Sequence, residues 1–324
     1  MGTEWKGRVT TERIVYLDRS VIRTEVRRPA FGHEWIEYPT TRSEEVKARL
    51  EGATIAITHR VFLKGEDLPP TLRLIAVGST GYERIDLAAC RARGIHVSNV
   101  RSWTVSVSEH VFALALALRR HLLTYNSAVR SGAWSSSPDF SLADLQTSDH
   151  TLRGDTLGVI GFGTTGRSVA ELGRGFGMEV LVAERKGAVA PREGRVPFYE
   201  VLRRSDLLAV LCPLTPETRG LIGAEELALM KWDGLLINCA RGGIVNEFAL
   251  AEALAQGRLG GAGIDSLETE PPSPGNPLLR LKLDNLIVTP HVAWASQESL
   301  ANLAEQLIQN IEAFVLGSPR NLVA

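Results

Sequence analysis

Short apolar runs alternate with helical patterns along most of this 324-residue chain. The first set of runs is IVYL (14–17), TIAIT (54–58), RLIAV (73–77) and IHVS (95–98). The second is LGVIG (157–161), MEVLVAE (178–184), LLAVLC (207–212), GLLINC (234–239), GGAGID (260–265) and NLIVTPH (285–291). These runs are β-branched and apolar on both faces, the signature of strands buried in a parallel sheet. Parallel strands need helical crossovers, so the alternation predicts α/β architecture with helices on both faces of each sheet. The chain is too long for one ordinary core, and two doubly wound domains follow.

Between RLIAV and IHVS, the segment RIDLAACRARG reads as a helix stopped by Gly94. Residues 106–122, SVSEHVFALALALRRHL, lie between the two strand sets and are expected to cross from one domain to the other. A last helix, roughly 296–316, sets Leu300, Leu303, Leu307, Ile311 and Phe314 at helical spacing. It follows a complete second strand set, so it is expected to return to the first domain. Residues 131–150 are rich in Ser, Asp and Pro and read as a long surface loop.

Composition excludes several classes. The net charge is −1, without the basic surplus of a duplex-binding protein. Cys90, Cys212 and Cys239 are odd in number and far apart, which fits a reducing compartment and neither a disulfide framework nor a metal site. The N-terminus is polar, without a secretory h-region. The apolar stretch 105–118 is broken by Ser106, Ser108, Glu109 and His110 and does not suit a bilayer. A cytoplasmic protein that binds neither nucleic acid nor membrane is expected.

The strongest local signal is Gly161-Phe162-Gly163-Thr164-Thr165-Gly166, which follows a strand and opens a helix. Gly161 permits the tight turn, Gly163 lets backbone approach a pyrophosphate, and Gly166 lets helix and strand pack closely. The helix N-terminus offers free N–H groups and a positive dipole to the phosphates. Glu184 ends the next strand, 23 positions after Gly161, where an acid bonds the adenosine ribose hydroxyls and repels a 2′-phosphate. NAD is therefore expected over NADP. Arg185, directly after it, is the residue that would accommodate a 2′-phosphate if Glu184 turned away.

Three later strands each end in polar residues: NCARGG (238–243), GIDSLETEPP (263–272) and TPHVAWAS (289–296). Ligands of open parallel sheets sit at the carboxyl ends of strands, so Arg241, Asp265, Glu270 and His291 are expected on one edge. Hydride transfer to a 2-oxo acid needs a cation for the carboxylate and the developing oxyanion, a proton donor for the alkoxide, and a group holding that donor protonated. Arg241, His291 and Glu270 can supply these in turn. Glu268 is a nearby alternative to Glu270, and Asp265 also suits a turn cap.

These segments resemble the D-isomer-specific 2-hydroxyacid dehydrogenases. The resemblance runs through LRLIAVGSTGYERIDLAACRARGIHVSNV, SEHVFALALALRR, LRGDTLGVIGFGTTGR, CPLTPETRGLI, LINCARGGIVNE, GAGIDSLETEPP and NLIVTPHVAWAS. Within the family, VLVAERKGA and TPHVAWAS look most like the glycerate dehydrogenase, or hydroxypyruvate reductase, branch. The resemblance implies a Rossmann NAD domain (104–293) and a discontinuous, flavodoxin-like substrate domain (1–103 and 294–324). It implies the catalytic trio Arg241, Glu270 and His291, with Cys212, Pro213, Thr218, Ala240 and Asp265 around the cofactor. It also implies that the turn Gly78-Ser79-Thr80-Gly81 holds the substrate carboxylate, and a Gly-rich turn after a strand suits an anion on physical grounds. NVRSWTVSVSEH is about one residue shorter than the family pattern. Trp103 falls near a place where a smaller aromatic is common, and Leu211 where histidine is frequent. The implied activity is reduction of hydroxypyruvate to D-glycerate by a cytoplasmic homodimer. The alternatives are glyoxylate or another 2-oxo acid as substrate, or a non-catalytic NAD(H)-sensing protein.

Overall fold

The computed structural model describes residues 11–101, 104–145 and 150–324. Trp103 and residues 146–149 of the 131–150 segment lie outside the described residues. The chain forms two compact units, one from residues up to 103 with 295–324, the other from 104–294.

The first unit carries β1 (Glu12–Tyr16), β2 (His33–Glu37), α1 (Val46–Arg49), β3 (Ile55–Thr58), β4 (Leu74–Val77), α2 (Leu87–Ala92) and β5 (His96–Asn99). Its sheet is parallel, in the order β2-β1-β3-β4-β5, the flavodoxin-like order. Successive strand residues face opposite sides. Val15, Ala56, Ile75 and Val97 pack with Val46, Leu50 and Cys90 on one face. Ile14, Tyr16, Ile55, Ile57 and Leu74 meet Ala304, Leu307, Ile308 and Ile311 of the C-terminal helix, Gln297–Val315, on the other. Beyond that helix the chain runs antiparallel along β5: Val97 N–H donates to Ala324 O (2.8 Å) and Val323 N–H to Val97 O (2.8 Å).

The second unit begins with α3 (Thr104–Arg119) and α4 (Leu122–Arg130). Residues 106–122 are not one crossing helix: the chain turns at His121, which adopts a left-handed φ of 45°. Val111, Leu114, Ala115 and Leu118 of α3 pack within this unit, against Leu157, Leu207, Leu235 and Ile237. There follow β6 (Thr156–Ile160), α5 (Thr164–Gly175), β7 (Glu179–Val182), α6 (Phe198–Arg204), β8 (Leu207–Val210), α7 (Ala224–Leu229), β9 (Leu235–Asn238), α8 (Glu247–Ala255), β10 (Gly261–Ile264) and β11 (Leu286–Val288). The parallel sheet has the order β11-β10-β9-β8-β6-β7. Outside β7, Val196 bridges Ala183 in parallel. Counting that bridge as a vestigial strand restores the Rossmann order 3-2-1-4-5-6. Among the described residues, no helix is long and apolar enough to cross a membrane.

Leu307 is fully buried between the C-terminal helix and the first sheet. Leu307→Ala should therefore destabilise that unit by about 2–5 kcal/mol, as buried Leu truncations do. Denaturant unfolding followed by circular dichroism checks this. A loss below about 1 kcal/mol would mean the helix is not part of that core.

Candidate functional site

The turn after β6 is shaped by three glycines. Gly161 adopts φ +93°, and a Cβ there would lie 2.5 Å from the Cys212 backbone nitrogen. The Cys212–Pro213 turn after β8 thus packs directly against it. A Cβ on Gly166, buried in the first turn of α5, would lie 2.1 Å from Gly161 O. At Gly163, the N-cap of α5, an added Cβ meets nothing within 4 Å. Close packing behind and open space in front give the cradle a dinucleotide pyrophosphate needs, with the first N–H groups of α5, at Thr164 and Thr165, beside it. Phe162 lies under two guanidinium groups, Arg195 at 4.8 Å and Arg167 at 5.2 Å from its ring centroid. Thr218 braces the neighbouring turn: its hydroxyl donates to Pro213 O (2.7 Å) and accepts from Thr215 N–H (2.7 Å). Burial pushes the Cys212 thiol up to about 11, so it is a packing group and no nucleophile.

Glu184 follows Ala183, the bridged residue just past β7, and its side chain is buried. Its carboxylate is taken up by protein donors. Oε1 accepts from Arg185 N–H (2.8 Å) and Arg192 Nη2 (2.6 Å); Oε2 accepts from Arg192 N–H (3.0 Å) and Arg192 Nε (2.7 Å). Four donors fill the roughly four lone-pair positions of a carboxylate. The Arg192 guanidinium, then the backbone N–H groups of Arg185 and Arg192, hold Glu184 well below the usual carboxylate range. Arg192 had no sequence signal, because it lies in an irregular loop eight positions away.

At the ends of β9, β10 and β11 the chemistry-bearing residues gather. Asn238, buried at the end of β9, donates from Nδ2 to Arg241 O (3.0 Å) and accepts Ala240 N–H (3.1 Å). This folds the Arg241 turn back on its own strand, and Arg241 Nη1 donates to Ala240 O (2.9 Å). The turn touches the next strand end, since a Cβ on Gly242 would lie 2.0 Å from the Leu267 carbonyl. Glu270 is oriented by Leu267 N–H, which donates to Oε1 (3.0 Å). Its Oε2 lies 2.7 Å from His291 Nδ1. Glu268, the alternative partner, is instead exposed and paired with Arg219 (2.6 Å). Of the two acids, the structure brings Glu270 to the histidine.

His291 adopts a left-handed φ of 55°, and Asp265 supports that turn. Asp265 Oδ1 accepts from Thr289 Oγ1 (2.6 Å) and Val292 N–H (2.9 Å), Oδ2 accepts Ala293 N–H (3.0 Å), and Asp265 O accepts His291 N–H (2.9 Å). With Thr289 donating to Asp265, its oxygen accepts from His110 Nε2 (3.0 Å). Trp294 Nε1 donates to His291 O (2.8 Å). Sequence reasoning missed Asn238, His110, Thr289 and Trp294 as supports; Asn238 and Thr289 stand at strand ends, whereas His110 lies on α3 and carried no such signal. Ser79, Thr80 and Gly81 follow β4 in the first unit, at the carboxyl edge of its sheet.

The arrangement makes Glu270 an acceptor for Nδ1–H and leaves Nε2 of His291 as the nitrogen for proton exchange. Glu270→Gln keeps the shape and removes the charge. It should lower kcat by roughly 10²-fold or more, in the range of general acid–base contributions, with dinucleotide affinity within a factor of about two. Steady-state rates beside a fluorescence titration of the cofactor check this; unchanged kcat would remove Glu270 from the site.

Residues 112–293 match the model of the D-isomer specific 2-hydroxyacid dehydrogenase NAD binding domain. A glycerate dehydrogenase of Methylorubrum extorquens is 45% identical over 317 residues, 97% of this chain and 99% of that protein. A hydroxypyruvate reductase of Blautia hydrogenotrophica is 36% identical, over 87% of this chain and 88% of that one. Among solved structures, an NADPH-dependent glyoxylate/hydroxypyruvate reductase of Sinorhizobium meliloti, in complex with NADP and malonate, superposes with a TM-score of 0.80 at 28% identity, covering 97% of each chain. With the glycine cradle, the strand-end cluster and these matches together, the chain belongs to the D-isomer-specific 2-hydroxyacid dehydrogenases, oxidoreductases that carry a nicotinamide-binding domain.

Proposed function

We propose that this protein reduces hydroxypyruvate to D-glycerate. The observation that carries the reading is the His291–Glu270 pair, 2.7 Å apart, on a strand end next to the Arg241 turn of a dinucleotide-binding unit. Bound nicotinamide supplies the hydride that reaches carbon 2 of the substrate. Arg241 holds the substrate carboxylate with its planar fork and polarises the ketone. His291 gives the proton from Nε2 to the forming alkoxide. Glu270 stabilises the charged imidazole and fixes its orientation. The backbone N–H groups of Ser79, Thr80 and Gly81 are assigned, within the first unit, to binding a substrate carboxylate. Gly161, Gly163 and Gly166, with Thr164 and Thr165, cradle the pyrophosphate, while Phe162, Cys212, Pro213, Thr218, Ala240 and Asp265 shape the rest of the cofactor site. The protein acts as a cytoplasmic homodimer in this reading. Exposed Leu122, Leu123 and Val129 on α4, with Trp134 and Phe140 after it, support a self-associating face.

For the cofactor we propose NADH, with Arg192 swinging aside so that Glu184 meets the ribose hydroxyls. The Glu184–Arg192 pairing favours a second reading, in which Arg192 and Arg185 take a 2′-phosphate and NADPH is used. The test is loss of reduced-cofactor absorbance with hydroxypyruvate, glyoxylate and pyruvate, using NADH and NADPH, on wild type, Arg192→Ala and Glu184→Ala. The first reading expects hydroxypyruvate with NADH to have the highest kcat/KM, and Glu184→Ala to raise KM for NADH about tenfold, the loss of one or two hydrogen bonds. NADPH preferred by wild type and lost in Arg192→Ala would decide for the second. No turnover of any pair would return the chain to a sensing role.

A further inference from the structure

In the first sheet the strand order reverses between β1 and β3. The carboxyl ends of those strands form the switch point, where α/β sheets take ligands. Tyr16 ends β1, His59 follows β3, and the turn Gly78–Gly81 follows β4. The carbonyls of this turn are all held. Gly78 O faces His59 Nδ1 (2.6 Å), Ser79 O accepts from Val100 N–H (3.3 Å), Thr80 O from Asn99 Nδ2 (2.8 Å), and Gly81 O from the Ser79 hydroxyl (2.6 Å). By contrast, the N–H groups of Ser79, Thr80 and Gly81 donate to no acceptor among the described residues. Four carbonyls tied back and three consecutive N–H groups unspent leave the turn with donors suited to an anion. Asn99, 4% exposed, commits its amide nitrogen to Thr80, while its Oδ1 has no partner among the described residues.

His59 is the anchor the sequence did not announce. It is buried, and a Cβ on Gly78 would lie 1.9 Å from its Cε1, so the imidazole lies against the Gly78 backbone. A carbonyl only accepts, so Nδ1 carries the proton. Nε2 then accepts from the Tyr16 hydroxyl at 2.5 Å. Burial holds the imidazole below its ordinary pKa and the Tyr16 phenol above its own, which keeps both neutral. Asp18 fixes the backbone on which His59 rides, accepting His59 N–H (3.0 Å) and Arg60 N–H (2.6 Å).

We propose that His59 is a positioning residue for the substrate carboxylate: Tyr16 fixes its tautomer, and its Nδ1–H holds Gly78 O so that the Ser79–Gly81 N–H groups converge on the anion. This rests on the reading that the turn binds the carboxylate of the 2-oxo acid. The experiment compares His59→Leu, His59→Asn and Tyr16→Phe with wild type, measuring kcat, KM for the 2-oxo acid, cofactor Kd and Tm. His59→Leu removes the donor and should raise KM about fivefold to tenfold, the range of one hydrogen bond. The accompanying change in kcat should stay within about threefold, with cofactor Kd unchanged. His59→Asn keeps a donor near Nδ1 and should restore most of the KM, and Tyr16→Phe should fall between. Unchanged KM in His59→Leu, or a His59→Asn variant as impaired as His59→Leu, overturns the proposal. A parallel titration of the wild type with oxamate and cofactor follows the amide resonances of Ser79, Thr80 and Gly81. Resonances that stay still show that the carboxylate reading of the turn has failed. Resonances that move, beside a silent His59→Leu, show that only the role of His59 has failed.

Discussion

The buried carboxylate of Asp265 is the interaction on which the proposed chemistry of the second unit depends. It accepts the Thr289 hydroxyl and the N–H groups of Val292 and Ala293, while its own carbonyl accepts His291 N–H. A non-glycine residue in the left-handed region costs on the order of 1 kcal/mol or more, and persists only where its surroundings over-determine it. His291 is such a residue. The turn that Asp265 closes presents Nδ1 to Glu270, and Glu270 is in turn aimed by Leu267 N–H. These supports come from residues that follow strand ends, through backbone N–H groups together with the Thr289 hydroxyl and the Asp265 carboxylate.

The same economy governs how neighbouring loops meet. Parallel strands bring their carboxyl ends side by side about 5 Å apart, and the loops that follow collide unless one has no side chain. Gly161 admits the Cys212 turn, Gly166 admits Gly161, and Gly242 admits Leu267. A substitution at Gly161 or Gly242 acts on two loops at once, and one at Gly166 on the turn that leads into α5. The first unit solves the corresponding problem with hydrogen bonds as well as space: Gly78 admits the His59 ring, and His59, Asn99 and Val100 tie the turn's carbonyls away.

Periodicity and glycine spacing made the framework legible. Both parallel sheets, the turn and helix of the dinucleotide motif, and the strand-end positions of Arg241, Asp265, Glu270 and His291 were open to reading, because each follows from a local pattern. What stayed hidden was pairing between irregular segments. The Glu184–Arg192 ion pair joins a strand end to a loop without period. β2, HEWIE, is an edge strand whose polar residues mask the strand signal. α4 starts only because His121 turns left-handed, which no helix propensity anticipates. The C-terminal tail lies along β5 through backbone hydrogen bonds, with Asn321 bonded to Asn310 and Val323 packed against the core. Glu270 is chosen over Glu268 on sequence; the ion pair of Glu268 with Arg219 was not legible there.

The central claim is that this site delivers hydride to carbon 2 of a 2-oxo acid from one face while His291 protonates the oxygen. The most direct measurement is the configuration and label of the product. Hydroxypyruvate is reduced with nicotinamide cofactor deuterated at the transferred C4 position, and the glycerate is analysed by chiral chromatography and mass spectrometry. The account predicts D-glycerate carrying the deuterium at carbon 2. L-glycerate, a racemate, or product without the label would contradict it.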